Sequence, residues 1–304
     1  MRIGFVLLRF TAPFHVGRWS LLDTYDYIPS DTIYSALYSL SAATGVEAPS
    51  RVSSAYPVSP DAVTNKDMLG VPVPATWRIE AIRQGADSKK VKRARFMPLR
   101  CLKGGRVEVQ ESLKCRVDGD VVDLAGWPTD KLGLSTRQTR TTRGTSKSSP
   151  ADKLGLRIAV PRNRISRHIE NADPYRVAVF QPKVPYVIYY QGGDPKIFDI
   201  LGKLGLGGDR SAGLGKFEVI ARGDVDLPDG GKSAMLLGVG RPQGFTSAIG
   251  EWAVRSWRCT HGIIGPVSVL LDGGVLEGNF EFEDIERTDA PCLKRLSPLW
   301  VWLS

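Results

Sequence analysis

Histidine and cysteine are scarce in this chain of 304 residues: His15, His168 and His261 are its only histidines, and Cys101, Cys115, Cys259 and Cys292 its only cysteines. No two cysteines stand at C-x-x-C spacing, which argues against a zinc knuckle, a dithiol redox motif or a disulfide framework; free thiols in a reducing compartment are expected. Cys259 and His261 would need two or more distant partners to hold a metal, so neither a metal centre nor a cofactor is expected. Long hydrophobic runs are also missing. The opening run, residues 3–10, is interrupted by Arg9, and nothing later approaches the roughly 18 apolar residues of a membrane span. The expectation is a cytoplasmic protein with no membrane partner.

Acidic residues are nearly absent from two stretches. Residues 83–106 carry nine Lys and Arg against Asp87 alone, and residues 131–167 carry ten against Asp152 alone. The whole chain has 41 Lys and Arg, 32 Asp and Glu, and a formal net charge of +9. Such an imbalance speaks to partners rather than fold, and it favours a polyanion such as nucleic acid. After residue 223 the sign reverses, with eleven acidic and seven basic residues. The acidic run 277–289 suits solvent or a basic protein surface better than phosphate.

What is present is enough for a sizeable core. Hydrophobic residues make up 42%, and the length sits where one core usually splits into two. With 32 Gly and 20 Pro, an α+β protein with long connections fits better than a helical bundle. The run IGFVLLRF reads as a central strand, TAPFHVGRW as a loop, and PSDTIYSALYSL as a helix capped by Ser30 or Asp31, with Ile33, Leu37 and Leu40 on one face. RVSSAYPV and VPVPATWRIEAI follow as strand candidates. Strand, helix, strand, strand is half of a ferredoxin-like domain. The basic segment 83–172 is then expected as an insertion between the third strand and the second helix. YRVAVFQPKVPYVIYYQ supplies two strands, DPKIFDILGKLG a short helix with Ile197, Ile200, Leu201 and Leu204 in a stripe, and GLGGDRSAGLGKFEVI a glycine-rich loop that enters a closing strand. Residues 223–304 read as a smaller second α+β domain, with QGFTSAIGEW as a turn or short helix.

The glycine-rich loop is not a Walker loop, because Lys216 is followed by Phe217 rather than Ser or Thr. Nor is it a dinucleotide fingerprint, since it leaves a helix and enters a strand. Its glycines permit close backbone approach, with exposed N–H groups, Arg210, Lys216 and Ser211 available to phosphate. In PRNRISR, Arg162, Arg164 and Arg167 lie close together, and in an extended strand the first two share a side. Guanidinium groups there can take phosphates bidentately or stack on unpaired bases. The run RQTRTTRGTSK adds Arg137, Arg140, Arg143 and Lys147. His15 and Arg18 sit just after the first strand, where His15 with Ser20 or Tyr25 could move a 2′-hydroxyl proton in a metal-independent ribonuclease; RNA contact or loop structure is the competing reading. A protein-only scaffold, whose basic insertion meets an acidic subunit, is a further alternative.

FHVG followed by PSDTIYSAL, the central PRNRISR, and GLGGDRSAGLGKFEV together resemble the RAMP superfamily of CRISPR-associated proteins, and within it the subtype III-A (Csm) subunit at the crRNA 5′ end. The resemblance implies an α+β fold of two ferredoxin-like (RRM-like) domains, residues 1–222 with a basic thumb inserted at about 83–172, and residues 223–304. It implies a non-catalytic, antiviral ribonucleoprotein subunit that binds the crRNA 5′ handle, docks on the large signature subunit that makes cyclic oligoadenylate, and adjoins the first backbone RAMP subunit. His15 and Gly17 would then line the handle channel, Arg162, Arg164 and Arg167 would touch RNA, and Gly207, Gly208, Arg210, Ser211, Gly213 and Gly215 would form the cradle. Handle-binding subunits of subtype III-B and type I complexes share this plan, and a RAMP endoribonuclease that cuts precursor crRNA remains the other reading.

Overall fold

The computed structural model describes residues 1–17, 20–109, 112–128, 154–165, 172–259, 262–287 and 292–303. Strand β1 (Arg2–Phe10) is buried along most of its length and forms the middle of the principal sheet. It is followed by helix α1 (Ser30–Thr44), the short strands β2 (Arg51–Val52) and β3 (Tyr56–Pro57), and much later β4 (Gly155–Ile165) and β5 (Ala172–Pro182). Strand β6 (Tyr186–Gln191), helix α2 (Lys196–Leu204) and strand β7 (Phe217–Asp226) complete the unit. The sheet order is β7-β1-β6-β2, with β3 also on β6 and every pairing antiparallel. This is the order of a ferredoxin-like β-α-β-β-α-β unit, and α1 and α2 pack side by side on the sheet.

Four local expectations change. VPVPATWRIEAI was expected as a strand, but only Gly70–Pro72 is extended, and Ala75–Arg83 is a helix that starts at Pro74. Proline fixes φ where a first helical turn needs no N–H, so Pro74 opens a helix here. The third strand of the sheet is therefore β6, and the long intervening segment precedes it instead of following it. Much of that segment is not peripheral: Val91, Phe96, Met97, Leu99 and Leu113 are buried in the principal core, while β4 and β5 form a long hairpin. Cys101 and Cys115 are disulfide-bonded, so the free-thiol expectation fails for this pair. Helix Leu99–Gly104 ends at Gly105 and the chain returns as Leu113–Val117, which brings together two cysteines that stand 14 positions apart in sequence. Leu204, expected in the apolar stripe of α2, is exposed.

The remaining described residues, from 227 onward, form strands only, so the helices of a second ferredoxin-like unit are not found among them. A four-stranded sheet runs in the order Ser247–Ile249, Val275–Glu277, Ser233–Leu236, Trp300–Leu303, and Trp252–Cys259 pairs with Gly262–Leu270 as a hairpin. No described helix is long and apolar enough to cross a membrane.

The two halves meet at the start of α1. Its N-cap is Pro29, with no side-chain cap. Ser30 and Asp31, expected to cap the helix, instead reach across the junction: Ser30 Oγ accepts from the Val239 N–H at 2.9 Å. The fully buried Asp31 carboxylate takes the Arg255 guanidinium at 3.2 Å and the Trp257 indole N–H at 2.6 Å. A carboxylate in the first helical turn is also favoured by the helix dipole. Removing one partner of a buried ion pair leaves the other uncompensated and costs about 3–5 kcal/mol. Asp31→Asn is accordingly expected to lower unfolding free energy by about 3 kcal/mol, measured by chemical denaturation; a change under about 1 kcal/mol would show that this junction is not held by charge.

Candidate nucleic-acid interface

Between α2 and β7 the chain lies down on the loop that follows β1. The Gly208 N–H donates to the His15 carbonyl at 2.7 Å, the Gly215 N–H to the Pro13 carbonyl at 2.8 Å, and the Leu206 N–H to the Gly215 carbonyl at 2.9 Å. Gly207 has φ +96°, and a Cβ there would run into the His15 carbonyl oxygen. Only glycine allows that approach. At the outer turn, Arg210–Ala212 forms one 3-10 turn. Gly213 follows with φ +85° and open space where a Cβ would point. The inner glycine is thus a packing requirement, and the outer one leaves a surface open.

His15 is buried and fixed from the other side as well. Its Nδ1 lies 2.7 Å from the Ala178 carbonyl oxygen. A carbonyl only accepts, so Nδ1 carries the hydrogen. Phe14 and Phe180 exchange backbone hydrogen bonds at 2.9 and 2.8 Å, which anchors β5 to the same loop. Val16 is held to Thr24 and Tyr25, its N–H donating to Thr24 Oγ1 at 3.0 Å and its carbonyl accepting from the Tyr25 N–H at 3.0 Å. Ser20 Oγ accepts from the Leu22 N–H at 3.2 Å, a turn contact.

The hairpin completes the surface. Leu214 of the glycine-rich loop is buried against Val177 and Val179, with Val160 packed on the same cluster. Val160 pairs with Val177 and Arg162 with Tyr175. Side chains two apart on a strand share a face, so Arg162 and Tyr175 continue outward on the face that Leu214 covers. Arg162 Nε is buried without an acceptor among the described residues, and Tyr175 is exposed. Arg210, Ser211 and Lys216 are exposed, and neither cation has an ion-pair partner among the described residues.

The structure brings together His15, Gly207, Gly208, Gly215 and the base of the Arg162 strand; a Cβ on Gly17 would sit 3.4 Å from His15 Nε2. One expectation is corrected. The N–H groups of Gly208, Gly213 and Gly215 all donate to carbonyls of the chain, so these glycines offer no bare amides to a ligand. The exposed side chains of Arg210, Ser211 and Lys216, and Arg162 with its unpartnered Nε, remain open to anions among the described residues. Arg18, Arg137, Arg140, Arg143, Lys147 and Arg167 lie outside the described residues, and of Arg164 only the strand backbone is described. Sequence reasoning missed Leu214 as the anchor between loop and hairpin; a lone apolar residue among glycines and cations was the available signal. Among the described residues no cluster of His, Cys, Asp and Glu could hold a metal.

No protein-family model and no curated protein matches this chain. Solved structures do. A chain in the crystal structure of a Csm1-Csm4 cassette with AMPPNP aligns with a TM-score of 0.52 at 15% identity, covering 100% of this chain and 98% of that one. The cassette with cA4 gives 0.52 at 13% identity, covering 99% and 98%. A chain of the Csm3-Csm4 subcomplex of the type III-A CRISPR-Cas interference complex gives 0.50 at 13% identity over 100% of both chains. At these identities the likeness is one of fold.

The two kinds of glycine should respond differently to substitution. Gly213→Ala is expected to cost about 1 kcal/mol, the price of a left-handed alanine, whereas Gly207→Ala must also displace the His15 carbonyl and should cost at least about 2 kcal/mol. Thermal or chemical unfolding of the two variants decides it; equal losses would mean that the loop is not seated on His15.

Proposed function

We propose that this chain is a non-catalytic RNA-binding subunit of a type III CRISPR effector complex, of subtype III-A, that recognises the 5′ handle of the crRNA in antiviral defence. The carrying observation is the seating of the glycine-rich loop, which bears Arg210, Ser211 and Lys216, on the His15 loop and, through Leu214, on the hairpin whose first strand bears Arg162. Cations without acidic partners on one folded surface suit a sugar-phosphate backbone, and Tyr175 gives an exposed ring for an unstacked base. The full-length likeness to chains of Csm assemblies supports the same reading.

In this reading residues 1–222, interrupted at about 83–172, form the RNA-reading unit, and residues 223–304 a second unit. The large cyclic-oligoadenylate-synthesising subunit and the adjacent backbone RAMP subunit are the protein partners. In this reading His15, with its Nδ1–H donated to the Ala178 carbonyl, holds the loop in shape. Its protein-facing hydrogen bond fixes the tautomer, and the chemistry of the surface is positioning of phosphate.

The test replaces Arg162, Arg210 and Lys216 with Ala together. Binding of handle-bearing RNA should weaken by about 100-fold or more, and the slope of log affinity against log salt should fall by about 2, as for three lost single-strand phosphate contacts. The melting temperature should stay within a few degrees because the cations have no described partners. Unchanged affinity and slope would refute the assignment.

A further inference from the structure

Behind the His15 loop lies a cavity of about 460 Å³, lined by Tyr25, Arg78, Lys92, Arg95, Arg157 and Glu251. Its walls come from parts of the chain distant in sequence: the Thr24–Tyr27 stretch, helix Ala75–Arg83, the short helix Ser88–Arg93, the base of β4, and the C-terminal strands. Arg157 alternates with Ile158, Val160 and Arg162 along β4, so it projects from the opposite face of the hairpin to Arg162. The cavity and the glycine-rich surface therefore lie on different sides of the same hairpin.

The charges in the cavity do not cancel. Arg95 is committed to Asp26, with Nη1 at 2.8 and 2.9 Å from the two carboxylate oxygens, and its guanidinium lies over the Tyr27 and Phe96 rings. That leaves Arg78, Lys92 and Arg157 against Glu251 alone. Lys92 and Arg157 are exposed at the rim. Arg78 is half-buried, and its Nε is buried with no acceptor among the described residues. Burial pushes the Arg78 guanidinium below its ordinary pKa; nearby Glu251 works against this, and the Arg95 charge adds to it. A buried N–H without an acceptor is costly, and an anion that supplies one removes the cost. The half-buried Tyr25 provides an aromatic wall, and the volume falls within the range of small-molecule sites.

We infer that this cavity is a second anion site that takes one nucleotide-sized phosphate ester, its phosphate held by Arg78, Lys92 and Arg157 and its base or sugar against Tyr25. The chemistry is shared by a free nucleotide and by one unit of a bound RNA strand. It does not depend on the glycine-rich surface, since none of its residues belongs to that surface.

The experiment uses the full chain, the variant Lys92→Ala with Arg157→Ala, and, separately, Arg78→Lys. One arm titrates nucleoside 5′-monophosphates, with inorganic phosphate as the minimal probe. The other arm crosslinks RNA carrying 4-thiouridine and maps the attached peptides. If free nucleotide is the ligand, the monophosphate binds and the double variant weakens it about tenfold or more. If a strand unit is the ligand, monophosphate binding is slight, but crosslinks appear at residues 24–27 or 75–95 and are lost in the double variant. Arg78→Lys keeps the charge but loses the fork, and should weaken whichever of the two occurs. The cavity is not a nucleotide site if neither monophosphate binding nor these crosslinks is seen, or if whichever is seen survives the double variant with undiminished strength. Loss of RNA affinity in the Arg162, Arg210 and Lys216 variant with this site intact would separate the two surfaces.

Discussion

The contact on which the candidate surface depends is one backbone hydrogen bond and the space around it: the Gly208 N–H on the His15 carbonyl, with Gly207 pressed against the same oxygen. A single hydrogen bond contributes only about 1 kcal/mol net, but this one sets geometry rather than stability. It fixes where the chain leaving α2 crosses the loop leaving β1. Because Leu214 then meets Val177 and Val179, the same crossing fixes the hairpin. Three segments far apart in sequence share a surface because a side chain is absent at residue 207.

A second constraint holds the halves of the molecule in one piece. Ser30 and Asp31 look like helix caps, yet their oxygens serve Val239, Arg255 and Trp257. Tyr27 and Tyr56 likewise donate to Asp272, at 3.0 and 2.7 Å, and burial pushes the Asp272 carboxyl above its ordinary pKa. Such directional polar contacts specify one docking of the C-terminal strands, where apolar packing alone would tolerate several. The cavity lined by Arg78 and Glu251 exists only because that docking is fixed.

Much of the first unit was legible because its periodicity is strong. The buried run of β1, the Ile33, Leu37 and Leu40 face of α1, the glycine-rich loop and the closing strand β7 all lie where pattern and turn chemistry put them. The misreadings share a cause: tertiary context decided where local sequence was ambiguous. Thr76, Trp77 and Ile79 favour a strand by residue type, but Pro74 and the packing of Ala75 and Ala81 make a helix. The pairing of Cys101 with Cys115 depends on a turn that no spacing rule marks. In the candidate surface, the glycines and cations were visible as types, whereas the use of the N–H groups of Gly208, Gly213 and Gly215 inside the fold could be seen only once the carbonyls opposite them were placed.

The central claim is that the glycine-rich loop and the hairpin present one path to a single RNA strand. Ultraviolet crosslinking of handle-bearing RNA to the assembled complex, followed by peptide mapping, tests it most directly. The account predicts attachment to peptides spanning residues 207–216 and 155–165 on the same RNA molecule. Attachment confined to one of these segments, or to the aromatic strand around Trp300 and Trp302, would contradict it.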